Sequence, residues 1–146
     1  MTILAGDDLS AARLNRLQPV VYSTATSASL ALTATQTDLP GGGITFNTTA
    51  AGAVWVAWAA YDFNQLAATT NDCFGRLVVD GATQTALAAF GGVAVSERGS
   101  VSQTWTGTLA AAGSHTIKLA GRATAASQYE VLPATTTLVL MILEVA

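Results

Sequence analysis

Apolar and polar residues alternate along most of this chain with the two-residue period of a β-strand. The alternation is clean over residues 101–109. There Val101, Gln103, Trp105 and Leu109 fall on one side, and Ser102, Thr104, Thr106 and Thr108 on the other. Residues 115–122 repeat it, with Ile117 and Leu119 against Thr116, Lys118 and Arg122. Two stretches depart from it, 53–63 (AVWVAWAAYDF) and 136–145, because both of their faces are apolar. In the second, Leu138, Leu140 and Ile142 share one face, while Val139, Met141, Leu143 and Val145 share the other. Neither face meets water cheaply, since burying a side chain of this size contributes about 1.5–3 kcal/mol. A small β domain covers one face of a strand well, and the natural cover for the second is another copy of the chain. Trp55, Trp58, Leu138, Leu140, Ile142, Val139, Met141 and Leu143 are therefore the expected oligomer interface.

The remaining strands follow from turn signals. Strands are predicted at 20–22, at 27–38 (Leu30, Leu32 and Ala34 against Ala31, Thr33 and Thr35) and, after a break at Pro40-Gly41-Gly42-Gly43, at 44–48. A polar loop spans 64–72. The strand 73–79 then meets Asp80-Gly81, a strong two-residue hairpin signal, and returns through 83–90. A short strand at 93–96 precedes a turn at 97–100, and residues 111–113 turn the 101–109 strand into 115–122. A loop through Pro133 reaches the last strand. Eight to ten strands at this spacing, with no crossover helices between them, give an all-β antiparallel sandwich.

One helix is predicted, at 7–18, capped by Asp7 or Asp8 and stopped by Pro19. Leu9, Leu14 and Leu17 lie on roughly one side of it, with Arg13 among them. It reads either as a surface helix leading into the sheet or as an arm that docks on a neighbouring subunit. The chain thus divides into an arm at 1–18 and one β-sandwich domain at 19–146.

Composition sharpens the interface expectation. Charged residues are only 10% of the 146 and apolar residues 51%, where a typical soluble domain carries about 25% charged. Much of the surface must be neutral, which suits contact with other proteins. The net charge is −3, and Arg13, Arg16, Arg76, Arg98, Lys118 and Arg122 are scattered along the sequence without forming a basic stripe. Nucleic acid is therefore not an expected partner. The opening MTILAGDDLS lacks the basic and apolar regions of a signal peptide. No apolar run reaches the roughly 18–20 residues that span a bilayer, so no membrane partner is expected and synthesis in a bacterial or similar cytoplasm is.

No chemistry is announced. The one histidine, His115, sits between Ser114 and Thr116 in a strand, where a structural role outweighs that of a general base. A nucleophile at Cys73, the one cysteine, would need positioning that spacing does not show. Zinc wants several Cys and His ligands. Asp62, Asp72, Asn64 and Asn71 bracket one loop and suit either a bound cation or turn stabilisation. Gly41-Gly42-Gly43 lacks the Lys-Ser/Thr and the helix of a phosphate loop. The glycosylation pattern Asn47-Thr48-Thr49 has no consequence without a signal peptide. Trp55 and Trp58 fall on opposite faces of the most apolar strand, where burial outweighs stacking on a sugar, and Trp105 points inward. The chain is read as a non-enzyme with no cofactor and no metal.

Two segments carry a resemblance. Residues 107–122, GTLAAAGSHTIKLAGR, read as a hairpin and are followed by TTTLVLMILEVA, a Thr-rich, doubly apolar final strand. The pair resembles the small jelly roll of tumour-necrosis-factor and C1q-like trimers and of many phage tail-tip and capsid-decoration proteins. The opening MTILAGDDLSAARLNRL resembles leaders of virion proteins in phages of high-GC actinobacteria. The resemblance implies a jelly-roll homotrimer in the virion, made in the host cytoplasm and cementing the capsid surface. Its partners would be its own copies and the major capsid protein or another virion protein, with Leu9, Arg13, Leu14, Arg16 and Leu17 in contact with the capsid. The alternative it allows is a tail-tip or fibre head domain binding a host-surface glycan or protein.

Overall fold

The computed structural model describes residues 18–144, and every regular element among them is a strand. In chain order these are β1 (Val20–Ala25), β2 (Leu30–Ala31), β3 (Thr37–Thr48), β4 (Val54–Gln65), β5 (Cys73–Val79), β6 (Ala82–Phe90), β7 (Arg98–Thr108), β8 (Gly113–Ala123), β9 (Tyr129–Val131) and β10 (Thr137–Leu143). They form two sheets, all of whose pairings are antiparallel. The six-stranded sheet is built on β4. One edge of β4 pairs with β7, and the other with β10 over its first part and β9 over its last, with β1 beyond β10 and β2 beyond β9. The four-stranded sheet runs β3-β8-β5-β6.

The core lies between the sheets, where the inward rows of the alternating strands meet. Tyr61, Phe63, Phe90 and Tyr129 form a continuous run of rings, stacked at first and ending in an edge contact. Ile117, Leu119 and Leu77 meet them from the four-stranded sheet, and all of these side chains are fully buried except Phe90, which is partly buried against them. Burial raises the Tyr61 hydroxyl far above its usual range, although that hydroxyl donates to the Arg76 carbonyl at 2.6 Å.

The long alternating strands stand where their periodicity puts them, and Asp80-Gly81 joins β5 to β6 with both residues at positive φ (47° and 83°), as a two-residue hairpin turn requires. Five sequence expectations are corrected. The stretch 27–38 forms only the two residues of β2 and the start of β3, because its Ser and Thr groups bond locally, as Thr33 Oγ1 does to the Thr35 carbonyl. The Pro-Gly run does not break the chain. β3 passes through it with a register shift between Asp38 and Gly43, and Gly41 takes φ 74° there. Residues 93–96 form a loop, and β7 begins at Arg98, within the expected turn at 97–100. The cause is Glu97, whose carboxylate accepts the Val93 and Ala94 N–H groups and closes the turn. β9 lies inside the expected loop before Pro133. Finally, 107–122 is not a hairpin: β7 belongs to the six-stranded sheet and β8 to the other, so residues 109–112 carry the chain across the sandwich. The helix expected at 7–18 lies outside the described residues.

A candidate assembly face

β4 and β10 are the doubly apolar strands, and they are neighbours. Their register sets Val54, Val56 and Trp58 opposite Leu143, Met141 and Val139. Side chains that face each other across an antiparallel pair share a face, so these six form one apolar patch on the outside of the sandwich. β1 extends it, with Val21 opposite Met141. On the other flank β7 sets Thr104, Thr106 and Thr108 beside Trp58, Val56 and Val54. Trp58 remains 42% exposed, Met141 38% and Val21 61%. No charged residue stands on the rows from Val54 to Ala60 or opposite them.

The eight expected interface residues therefore split by face. Trp58, Val139, Met141 and Leu143 stand outward. Trp55, Leu138, Leu140 and Ile142 are a correction, because the second sheet of the same chain covers them and they belong to the core. Trp55 shows the reason. Its indole lies flat against Gly107 on β7, where an added Cβ would stand 2.7 Å from the ring, so glycine makes room for it inside the sandwich. The strand is doubly apolar because one face needs the core, while no described element covers the other. Leu9, Arg13, Leu14, Arg16 and Leu17, the expected anchor contacts, lie outside the described residues.

Beside this face, at the β1 edge, a groove of ≈ 470 Å³ runs between β1 and β3, lined by Gln18, Val20, Tyr22, Asn47, Thr49, Ile142 and Glu144. Glu144 closes its far wall by accepting hydrogen bonds from the backbone N–H and the hydroxyl of Thr49. The opposite side of the sandwich is closed: β6 carries an irregularity facing Leu77, and Trp105 Nε1 donates to the Ala86 carbonyl at 2.9 Å. Bulges and capped carbonyls of this kind protect an edge strand from pairing with a stranger.

The candidate chemical residues are each held in structural roles. His115 is buried against Phe46, with Nδ1 2.7 Å from Asp80 Oδ2 and Nε2 3.1 Å from the Ala111 carbonyl, so neither nitrogen faces an open site. Asp80 Oδ1 also accepts the Thr116 N–H at 2.8 Å. Partial burial pushes the Asp80 carboxyl up, but the hydrogen bonds from His115 and Thr116 and the histidine's charge outweigh it and hold the group below its ordinary value. Cys73 is fully buried, and burial together with the charge of Asp72 pushes its thiol up to about 12. A thiol in that state is a poor nucleophile. Of the four residues considered for a cation, Asp62 pairs with Arg98 at 2.7 Å, Asn64 donates to Glu130, and Asn71 donates to Gln128. Asp72 turns a carboxylate oxygen toward Gly91. No group of three or more His, Cys, Asp or Glu side chains gathers as metal ligands among the described residues.

No protein-family model matches the chain, and no curated protein matches it in sequence. Solved structures do match in shape. The Eiger TNF of S. frugiperda aligns at a TM-score of 0.56 and 13% identity, over 88% of this chain and 94% of that one. Murine APRIL aligns at 0.52 and 9%, over 85% and 98%. The globular domain of zebrafish complement 1qA aligns at 0.51 and 10%, over 88% and 98%. At these identities the likeness is one of fold alone: the chain is an all-β, two-sheet antiparallel sandwich similar in fold to these jelly rolls.

Proposed function

We propose that this chain is a structural protein of a bacteriophage virion, assembled as a homotrimer through the outward face of β4 and β10 and set on the capsid surface as a cementing protein. The observation that carries the reading is the apolar face itself. It holds a half-exposed tryptophan, a methionine and five aliphatic side chains without a charge among them. Three strands about 4.8 Å apart and seven residues at about 3.4 Å make a face of roughly 340 Å². That is in the range of the largest apolar patches on soluble monomers, which are often functional. A cyclic trimer brings two unlike patches together at each contact. The threonine flank on β7 and the groove beside β1 supply neutral, unlike borders for such a contact. Many copies of a weak neutral contact give a trimer avidity for a repeating lattice without a single strong site. The resemblance of the final strand to those of phage decoration proteins supports the virion setting.

Light scattering of the purified full chain at low micromolar concentration tests the first step, and the expected mass is that of three copies. Co-sedimentation with phage heads that lack their decoration protein tests the second, with heads surviving higher temperature when the protein is bound. A monomeric mass removes the trimer. A trimer that leaves heads unaffected removes the capsid.

A second reading, a tail-tip or fibre head domain that binds a host surface, draws on the loop before β7. Val93 is 72% exposed and Val95 57%, yet the Glu97 carboxylate holds the turn that carries them. Fixed, exposed aliphatic residues on a loop suit recognition. That reading predicts few copies per particle and inhibition of adsorption by the free protein.

A further inference from the structure

The outward face of the four-stranded sheet differs from the one just described. Arg76, Lys118 and Arg122 are far apart in sequence, but the β5–β8 register sets Phe74 opposite Arg122, Arg76 opposite Ala120 and Val78 opposite Lys118. Half of the chain's six bases therefore stand on one sheet face. Lys118 is answered by Asp38 at 2.9 Å. Neither Arg76 nor Arg122 has an ion pair or a side-chain hydrogen bond among the described residues, and Arg76 Nε is buried with no acceptor. Arg122 lies over the ring of Phe74, its Cζ 5.1 Å from the centroid, a contact that favours this placement of the guanidinium.

Two uncompensated guanidinium groups are out of keeping with a chain of net charge −3. Two acids near them are committed elsewhere: Asp38 to Lys118, and Asp80 to His115 and the Thr116 N–H. We propose that this face is a docking site for a carboxylate-bearing protein surface, received between Arg76 and Arg122 beside Phe74. A guanidinium presents paired donors that match a carboxylate, and diagonal neighbours on adjacent strands stand about 7–8 Å apart, within reach of two carboxylates of one acidic segment. The surroundings favour protein over a phosphate backbone. Leu87 and Ala89 share the face and remain accessible on it, which gives a protein surface apolar contact that a phosphate backbone cannot use. The site goes beyond the proposed trimer and does not depend on it, since the two faces lie on opposite sides of the sandwich.

The test is fluorescence anisotropy with a dye-labelled hexaglutamate peptide and the full-length protein at low salt. Overall charge opposes binding of this probe, so any binding is local. The intact chain is expected to bind, with affinity falling as salt rises. The double variant R76Q/R122Q is expected to lose about tenfold or more, and K118Q, which removes a cation already paired, less than about threefold. Should the double variant fail to fold, R122Q alone carries the comparison, because it leaves the buried Nε of Arg76 in place. Absence of binding by the intact chain, or equal binding by a folded R122Q, overturns the proposal. So does inorganic phosphate that displaces the peptide at equal concentration, which would make the site a general anion site. Light scattering on the same samples reads the assembly separately, so loss of peptide binding and loss of the trimer are distinguishable.

Discussion

The two sheets present opposite outward faces to their surroundings. On the six-stranded sheet the rows around Trp58 and Met141 carry no charge, and no described element covers them. On the four-stranded sheet the rows around Phe74 hold Arg76, Lys118 and Arg122. Both sheets send an equally apolar inner face into one core, so core formation alone does not explain the difference. What differs is what each outer face has to meet. An uncharged face of this size is stabilised by losing water, which makes it suited to a permanent contact. A face with long, charged side chains stays solvated and is suited to a contact that forms later and responds to salt.

Two tryptophans three residues apart on β4 give the largest test of that contrast. Trp55 faces the core and Trp58 faces out. Trp55→Ala is expected to reduce folding stability by about 3–5 kcal/mol, the range for removing a buried aromatic, read from denaturant unfolding. Cys73 reports the same damage independently. Its thiol is buried and pushed up to about 12, so iodoacetamide is expected to leave the intact protein unlabelled at pH 8 and to label the Trp55→Ala protein as its core opens. Rapid labelling of the native chain would show that the sheets part readily and that the inner face is not the permanent one.

Trp58→Lys is expected to act on association instead. A charge at the centre of the apolar face should weaken assembly by about 2–3 kcal/mol or more, the loss typical of a central aromatic anchor, and turn the light-scattering mass toward that of a monomer. Folding stability measured on the monomer should change by less than about 0.5 kcal/mol, as for an exposed site. Should Trp58→Lys unfold the protein as Trp55→Ala does, Trp58 is part of the fold and the two faces of β4 are not separate in function.

Only part of this division is legible in the sequence, and the parts that are not have a common cause. The period of two set the faces of β4, β7, β8 and β10, because alternation is local. It also flagged β4 and β10 as doubly apolar, yet it could not say which face the chain itself would cover, since that depends on the second sheet. From alternation alone, Trp55, Leu138, Leu140 and Ile142 fit an interface as well as they fit the core. The cluster of Arg76 with Arg122 was invisible for a related one. Residues 76 and 122 become neighbours only through the β5–β8 register, and the same residues read along the chain are scattered. Turn chemistry was legible where two residues carry it, as at Asp80-Gly81. It was not where a side chain acts at a distance, as Glu97 does on Val93 and Ala94. The crossing from β7 to β8 has the sequence of a hairpin, because a three-residue turn between alternating strands looks the same whether the strands pair or part.

The smallest effect is expected at the joint between these elements. Asp80 ties the β5–β6 turn to His115 and Thr116, and His115 ties both to the Ala111 carbonyl in the β7–β8 crossing. The folded state holds the Asp80 carboxyl below its ordinary value. Its contribution to stability is therefore fully present above the ordinary carboxylate range and disappears as pH falls through the lowered folded value. The Asp80 side chain is 44% exposed, and solvent screening limits the contribution to about 0.5–1 kcal/mol. Asp80→Asn should thus melt about 1–4 °C below the parent at pH 7, and the gap should narrow as both are taken below the ordinary carboxylate range. A gap that persists in acid would mean that the turn is held by shape and not by the carboxylate. The crossing between the two faces would then rest on packing alone.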